Sequence, residues 1–384
     1  MSGYNYRPMK IGFDAKRLFN NTSGLGNYSR TLVGSLAVEY PGDTYVLFTP
    51  KRKLRVDFLP AENVRVETPR GMYKLSGGLW RTVAIAGLCK RERLDIYHGL
   101  SHELPAGIEK TGVKSVVTMH DLIFMRHPEL YGPVDAWIHT RKARYACRTA
   151  DAVIAISRQT RDDVVELLGV PPEKVHVVYQ GINEAAFSRE IPHDEVEREL
   201  AAFALPEKFI LCVGTVERRK NQMVLLKALA RTPEANLVIV GRKSGGYYRE
   251  LDKFAKSNGL SDRVRFLSGV TDRQLACLYK KCLFVAYMSI YEGFGLPIVE
   301  ALGNGRAVLT SSGGCFSEAA GKGALYAPCA DDVAVASAMS RLWNDGQLRK
   351  ALAEAGKEHI KAFSGGVPAV KVHGLYESLL SGKR

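Results

Sequence analysis

Long hydrophobic runs are missing from this chain. No stretch of its 384 residues approaches the roughly 20 apolar side chains that a membrane-spanning helix needs, so no segment reads as one. The opening stretch, Met1 to Lys10, is polar and leads straight into a strand-like segment, and no secretory leader is expected there. The seven cysteines (Cys89, Cys147, Cys212, Cys277, Cys282, Cys315, Cys329) form no Cys-x-x-Cys pair and have no histidines at zinc spacing. They read as reduced core residues of a cytoplasmic protein, with no structural metal. Short repeats, low-complexity tracts, a basic tail and an RNA-binding aromatic motif are absent as well.

What is present is apolar content enough for real cores, 46% of the chain, and a net charge of +14. Half of that excess, +7, falls in residues 1–190 and half in residues 191–384. An even spread suits two halves that each face phosphates, and equally suits a solvated surface. A nucleic-acid-binding protein is the rival that the charge suggests; a steep salt dependence of binding would reveal it.

Short apolar runs alternate with helical patterns, the signature of parallel sheets built from strand–helix–strand units. Strands are expected at Met9–Phe13, Tyr45–Phe48, Val64–Glu67, Ile96–His98, Ser115–Met119, Ala152–Ile156 and Val175–Val178, with helices at Tyr28–Val38, Trp137–Ala150 and Ser157–Leu168, the last capped by Ser157. The pattern loosens over residues 180–208. A second series follows at Phe209–Val213, Asn236–Val240, Val264–Phe266, Leu283–Ala286, Ala307–Thr310 and Ala324–Tyr326. Two such series imply an α/β protein of two doubly wound domains facing across a cleft. The expected boundaries are 1–185, 186–360, and a C-terminal helix, 361–384, crossing back to the first domain.

Four motifs carry candidate chemistry. Ser23-Gly24-Leu25-Gly26 precedes a helix, where glycines admit close backbone approach and a helix N-terminus favours anions. It lacks the third glycine of the dinucleotide fingerprint, and a plain tight turn explains it nearly as well. His120-Asp121 stands at a strand end; such a pair is more often a structural hydrogen bond than a catalytic one. Gly214-Thr215-Val216-Glu217-Arg218-Arg219-Lys220-Asn221 places three cations just beyond a buried strand, able to offset a diphosphate's charge or simply solvated. Tyr291-Glu292-Gly293-Phe294-Gly295-Leu296-Pro297, continuing to Glu300, puts one carboxylate in a loop and another a turn into a helix. A loop carboxylate can hold sugar hydroxyls and a helix carboxylate a ribose diol. A glycosidase acid/base pair is the other reading of two carboxylates, but a glycosidase has no use for a phosphate site.

With these residues in view the sequence resembles glycosyltransferase family 4 (GT4), retaining enzymes of the GT-B fold with two Rossmann-like domains. The Glu-x7-Glu spacing of Glu292 and Glu300 is the most specific match. Ala150 to Ser157, Gln180-Gly181-Ile182, Gly214 to Asn221, and Gly269-Val270-Thr271-Asp272 through Tyr279 support it. The resemblance implies that Lys220 and Arg219 neutralise the leaving diphosphate, Glu292 contacts the donor sugar and Glu300 the ribose. The N–H groups of Phe294, Gly295 and Leu296 would face the sugar or phosphate. Gly24, Leu25 and Gly26 would approach the phosphates or the acceptor, with His120 near the donor sugar. Gly214, Thr215, Gly241, Arg242 and Val270 would lie along the nucleotide. Thr215 replaces an arginine common in the family, so Arg218 or Arg219 would stand in.

The expected reaction is a metal-independent hexose transfer, needing no cofactor, from a nucleoside-diphosphate sugar to a glycan or glycolipid hydroxyl. GDP-mannose is the first choice of donor, with UDP-sugars next. Surface polysaccharide or lipopolysaccharide synthesis is the expected setting, with no nucleic-acid partner and with peripheral contact at the anionic inner membrane face compatible. An epimerase or phosphorylase of the same fold is the nearest alternative, and a non-catalytic sugar-nucleotide-binding module the third.

Overall fold

Runs such as Leu237-Val238-Ile239-Val240 and Ala152-Val153-Ile154-Ala155 are apolar at every position and buried at every position. Strands covered by helices on both faces have this composition, and it selects parallel pairing. The computed structural model describes residues 7–21, 24–52, 61–71, 76–182, 191–243, 245–364 and 366–382. Its strands build two all-parallel sheets in two compact units, one of Met1–Ile182 with Phe363–Arg384 and one of Asn183–Ala362.

In the first unit β1 (Lys10–Asp14), β2 (Thr44–Phe48), β3 (Val64–Glu67), β4 (Ile96–Gly99), β5 (Lys114–Met119), β6 (Ala152–Ala155) and β7 (Val175–Val177) lie in the order β3-β2-β1-β4-β5-β6-β7. In the second, β8 (Ile210–Val213), β9 (Leu237–Val240), β10 (Val264–Leu267), β11 (Phe284–Tyr287), β12 (Val308–Ser311) and β13 (Ala324–Ala327) lie in the order β10-β9-β8-β11-β12-β13. Each order starts at the middle, winds to one edge, then returns and winds to the other. That is the doubly wound Rossmann arrangement. All seven cysteines are free thiols, and all but the half-buried Cys329 are buried.

Helix starts depart from the expected ones. The first long helix is Gly24–Glu39, not Tyr28–Val38, so Gly24-Leu25-Gly26 forms its first turn; Ser23 lies outside the described residues. Gly26 is needed there because a Cβ would sit 1.8 Å from the Asn21 carbonyl oxygen. The glycine therefore answers a close approach of the protein's own backbone. Another helix begins at Pro133, four residues before Trp137. Its opening turns face solvent, so no core periodicity marks them. Ser157 does cap Arg158–Leu168, its side chain accepting from the Thr160 N–H at 3.0 Å. Asp163, in that helix, is buried against Arg126 at 2.8 Å.

The helix Val367–Ser381 belongs to the first unit and packs on Gly24–Glu39. Two buried polar contacts hold it. Tyr376 Oη lies 2.6 Å from His98 Nδ1, and His98 Nε2 lies 2.8 Å from Thr118 Oγ1, which also meets the Tyr28 hydroxyl at 2.9 Å. Burial holds the His98 pKa down to about 3, so the ring is neutral. Lower on the helix, His373 Nε2 meets Asp43 Oδ2 at 3.1 Å while stacked on Tyr40, and Asp43 Oδ1 accepts the Met9 N–H at 2.7 Å.

Asp43→Ala removes a buried carboxylate from three partners at once, the Met9 N–H, His373 and the Tyr45 hydroxyl. It should cost about 2–4 kcal/mol, read as a lower denaturant midpoint for the first unit. A loss under about 0.5 kcal/mol, the range of an ordinary surface change, would mean that Asp43 does not anchor the helix.

Candidate active site

In the second unit the strand order reverses between β8 and β11, neighbours in the sheet although far apart in sequence. Loops leaving the carboxyl ends of such a pair diverge to opposite faces and open a crevice between them. Both charged motifs begin there. After β8 the chain turns at Gly214, where φ is +150°. Arg218–Lys220 then wind one 3-10 turn. Asn221 takes a left-handed conformation, φ +54°, that starts the helix Gln222–Ala230, and its side-chain amide donates to the Cys329 carbonyl at 2.8 Å. After β11 the loop from Met288 runs to Gly295, whose φ of +109° caps the helix Leu296–Gly303. Two bonds tie the loops together. The Ile290 N–H donates to the Arg219 carbonyl at 2.8 Å, and Arg219 Nη1 donates to the Tyr291 carbonyl at 2.9 Å.

Glu292 sits at the centre, 8% exposed. Lys220 Nζ and Arg219 Nη1 each approach its Oε1 at 2.6 Å. Lys220 also donates to the Tyr287 hydroxyl at 2.7 Å and lies 4.9 Å from that ring's centre. Arg219 Nη2 reaches Glu217 at 2.7 Å. Burial by itself would raise the Glu292 pKa, but the two adjacent cations outweigh it and hold the carboxyl down to about 2. Burial likewise opposes charge on Arg219, and the neighbouring Glu292 and Glu217 carboxylates push its pKa above the ordinary value. Burial, with Glu292 nearby, raises the Tyr287 phenol well above its usual range. At neutral pH Glu292 is therefore ionised, Arg219 charged and the Tyr287 phenol neutral.

The neighbouring strand ends complete a rim. Gly241, directly after β9, donates to the Leu267 carbonyl at 2.9 Å. A Cβ there would lie 1.9 Å from the Gly214 carbonyl oxygen, so only glycine lets these two turns touch. Val216 N–H bonds the exposed Arg242 carbonyl at 3.0 Å, and Ser268 donates to the Gly241 carbonyl at 3.0 Å, bringing half-buried Val270 to the same edge. Thr215 lies beside Gly214, its carbonyl accepting from Gln222 at 3.0 Å. Phe294 is buried in the loop before Leu296. Glu300, one turn into its helix and half-buried, accepts from the Tyr279 hydroxyl at 2.7 Å; burial raises its pKa and nearby Asp272 adds to the rise.

Arg218 takes a different path from its neighbours. Its guanidinium pairs with Glu250 at 2.6 Å and lies over Tyr247, so of the two arginines only Arg219 joins the Glu292 cluster. Gly24, Leu25, Gly26 and His120 belong to the first unit. His120 is 3% exposed, with both ring nitrogens engaged: Nε2 with the Leu100 carbonyl at 2.8 Å and Nδ1 with the Gln180 amide at 2.9 Å. Burial, with His102 close by, brings its pKa down to about 3. As placed, the neutral ring positions the β5 end and the segment carrying Gln180. Tyr287, the Glu217–Arg219 pair, and Cys315, whose Sγ lies 3.2 Å from the Glu292 carbonyl, escape sequence reasoning. A tyrosine inside an apolar run, or a cysteine after two glycines, carries no local sign of a charged neighbour.

A parallel doubly wound unit with a cation–carboxylate cluster at its switch point holds charged groups where open α/β sheets bind their ligands. Glycosyl transferases group 1 matches residues 194–359, and Glycosyltransferase Family 4 matches residues 22–186. The chain belongs to this family of GT-B glycosyltransferases and is a hexosyltransferase. It is similar to O-antigen chain mannosyltransferase B of Escherichia coli, 26% identical over 93% of this chain and 96% of that protein. The serotype-specific mannosyltransferase WbdA of Escherichia coli is 28% identical over 56% of this chain, which spans only 27% of WbdA. Among solved structures, Anabaena HepE in complex with UDP and glucose superposes with a TM-score of 0.74 at 20% identity, covering 96% of this chain and all of that one. That likeness is one of fold.

Glu292 ties stability to acid. Its folded pKa of about 2 lies below the ordinary 4.5, so its contribution is fully present above about pH 4.5 and is lost as pH falls through about 2. Denaturant unfolding of the second unit across that window should show the loss in the wild type and a flatter profile in Glu292→Gln. Equal profiles would show that the ion pair is not formed in solution.

Proposed function

We propose that this enzyme transfers mannose from GDP-mannose, with retention of configuration, to a hydroxyl of a growing glycan or glycolipid in surface polysaccharide or lipopolysaccharide assembly. The observation that carries the donor reading is the convergence of Lys220 and Arg219 on Glu292 at the β8–β11 switch point. The names of the mannosyltransferase relatives support the choice of sugar and setting. HepE, solved with UDP and glucose, keeps a uridine nucleotide as the second choice.

The cluster is balanced before a donor arrives, with two cations facing two carboxylates. A diphosphate brings its own negative charge, and Lys220 and Arg219 turn part of their hydrogen bonding to it. Charge-assisted bonds of this kind contribute about 1.5–3 kcal/mol each. They strengthen as the bond from the anomeric carbon to the phosphate oxygen breaks and charge gathers on the leaving group, which is where stabilisation accelerates the reaction. Glu292, kept ionised, accepts hydrogen bonds from sugar hydroxyls and orients the ring. Glu300 accepts from the ribose diol. In a front-face transfer, the acceptor oxygen bonds the anomeric carbon on the face the diphosphate leaves, and the acceptor proton passes to a departing phosphate oxygen. No step draws on a metal or a cofactor. Transfer insensitive to chelator would support that; activity lost to chelator and restored by a divalent cation would overturn it.

The two charged partners should separate in their effects. Lys220→Ala should weaken nucleoside-diphosphate binding and lower transfer at least tenfold, about 1.4 kcal/mol of barrier. Glu292→Gln should also lower transfer at least tenfold yet leave nucleotide binding equal or tighter, because it frees the cations. Thermal-shift titrations with GDP, UDP and ADP read the binding, with GDP expected to stabilise most. If Glu292→Gln weakens binding as Lys220→Ala does, the division of roles is wrong. NMR of the product's anomeric centre checks retention, and an inverted linkage would refute it.

A further inference from the structure

The two glutamates of the site are held by different means. Glu292 is paired with two cations. Glu300, in the helix Leu296–Gly303, has none: among the described residues no ion pair reaches its carboxylate. Its one hydrogen-bond donor there is the Tyr279 hydroxyl, which meets Oε2 at 2.7 Å. Burial raises the Glu300 pKa, the bond from Tyr279 opposes that rise, and nearby Asp272 adds to it.

Tyr279 is itself fixed from several sides. It lies in the helix Asp272–Lys281, whose start is set by a reciprocal pair. The Gln274 N–H donates to the Thr271 hydroxyl at 3.2 Å, and the Thr271 N–H donates to the Gln274 side chain at 3.1 Å. The Tyr279 ring is buried. Its carbonyl accepts from Arg306 Nε at 2.9 Å, just past the end of the Glu300 helix, where Asn304 donates to the Glu300 carbonyl at 2.9 Å. The two helices are therefore joined through side chain and backbone alike. Burial, with Glu300 beside it, raises the Tyr279 phenol well above its usual range, so it stays a donor. The terminal torsion of a glutamate is otherwise broad; a donor locked in the core gives this one a single setting.

We propose that Tyr279 is the positioning residue that makes the nucleotide site select ribose: its hydroxyl occupies Glu300 Oε2 and so turns Oε1 to accept from the sugar's vicinal diol. Tyr279 acts through Glu300, so this role rests on the assignment of Glu300 to the ribose. The ligand class it defines is a ribonucleotide as against its deoxy counterpart. A carboxylate aimed at a diol rejects a sugar that lacks a hydroxyl, because the oxygen is then left without its donor. The ribose stands away from the bond that breaks. Loosening its contact removes binding that the ground state and the transition state share, which raises KM and spares kcat.

Nucleotide binding by the full chain tests this role. GDP, UDP and ADP are each set against their 2′-deoxy and 3′-deoxy forms, and the base that binds most tightly is followed. Wild type should prefer the ribonucleotide to a deoxy form by at least about tenfold. Tyr279→Phe keeps the buried ring and should narrow that preference to about threefold or less. It should also raise the donor KM at least about fivefold with kcat within about twofold. Glu300→Gln should lose the preference by itself, and adding Tyr279→Phe to it should change nubinding no further, because the two residues act as one unit. Thermal midpoints without nucleotide show that each variant is folded. A preference that Glu300→Gln removes and folded Tyr279→Phe keeps would overturn the role of Tyr279 alone. So would a Tyr279→Phe effect that persists in full in the Glu300→Gln background. A preference absent from wild type, or kept by Glu300→Gln, would overturn the ribose assignment of Glu300 and the role of Tyr279 with it.

Discussion

A buried carboxylate at the end of a parallel strand needs cations, and meeting that need organises the second unit. Glu292 would be protonated in an apolar surround; Lys220 and Arg219 keep it charged. Removing either side of such a pair costs about 3–5 kcal/mol, because the survivor is left buried and unpaired. The loops after β8 and β11 are thereby held in one relation, reinforced by the Ile290–Arg219 and Arg219–Tyr291 bonds. The same groups that fix the loops are those a diphosphate and a sugar would recruit, so the site is preorganised by its own electrostatics.

That arrangement depends on topology. Lys220 and Glu292 are 72 positions apart in the chain, and they meet only because β8 and β11 are adjacent in the sheet. The wider rim follows from the same order. β9 and β10 lie beyond β8, so Gly241 and Val270 line up behind Gly214, with Gly241 packed so closely that no side chain fits.

The first unit uses its buried polar groups differently. His98, Thr118, Tyr28 and Tyr376 form a neutral chain through the core, and Asp43 with His373 adds a second tie. Both bind the C-terminal helix to a domain formed mostly by the N-terminal half of the chain. His120 belongs to this structural economy as well: neutral, enclosed, and engaged at both nitrogens. Against that thrift, the bare apolar end of the Pro133 helix stands out, since exposed Trp137 and Val134 contribute nothing to the core.

Much of the fold was legible because the signals are local. Short runs rich in apolar residues marked each strand to within a residue or so, and Ser157 announced its helix through a cap that spans three residues. The paired glutamates and the cation run identified the family because their spacing is itself the motif. Three-dimensional packing alone decided that Arg219 joins Glu292 while Arg218 turns to Glu250, that Tyr287 meets Lys220 and Tyr279 meets Glu300, that Gly26 accommodates the protein's own Asn21, and that His120 is locked by Gln180. Each of these depends on which strand ends and turns become neighbours. Strand order, not residue type, sets that.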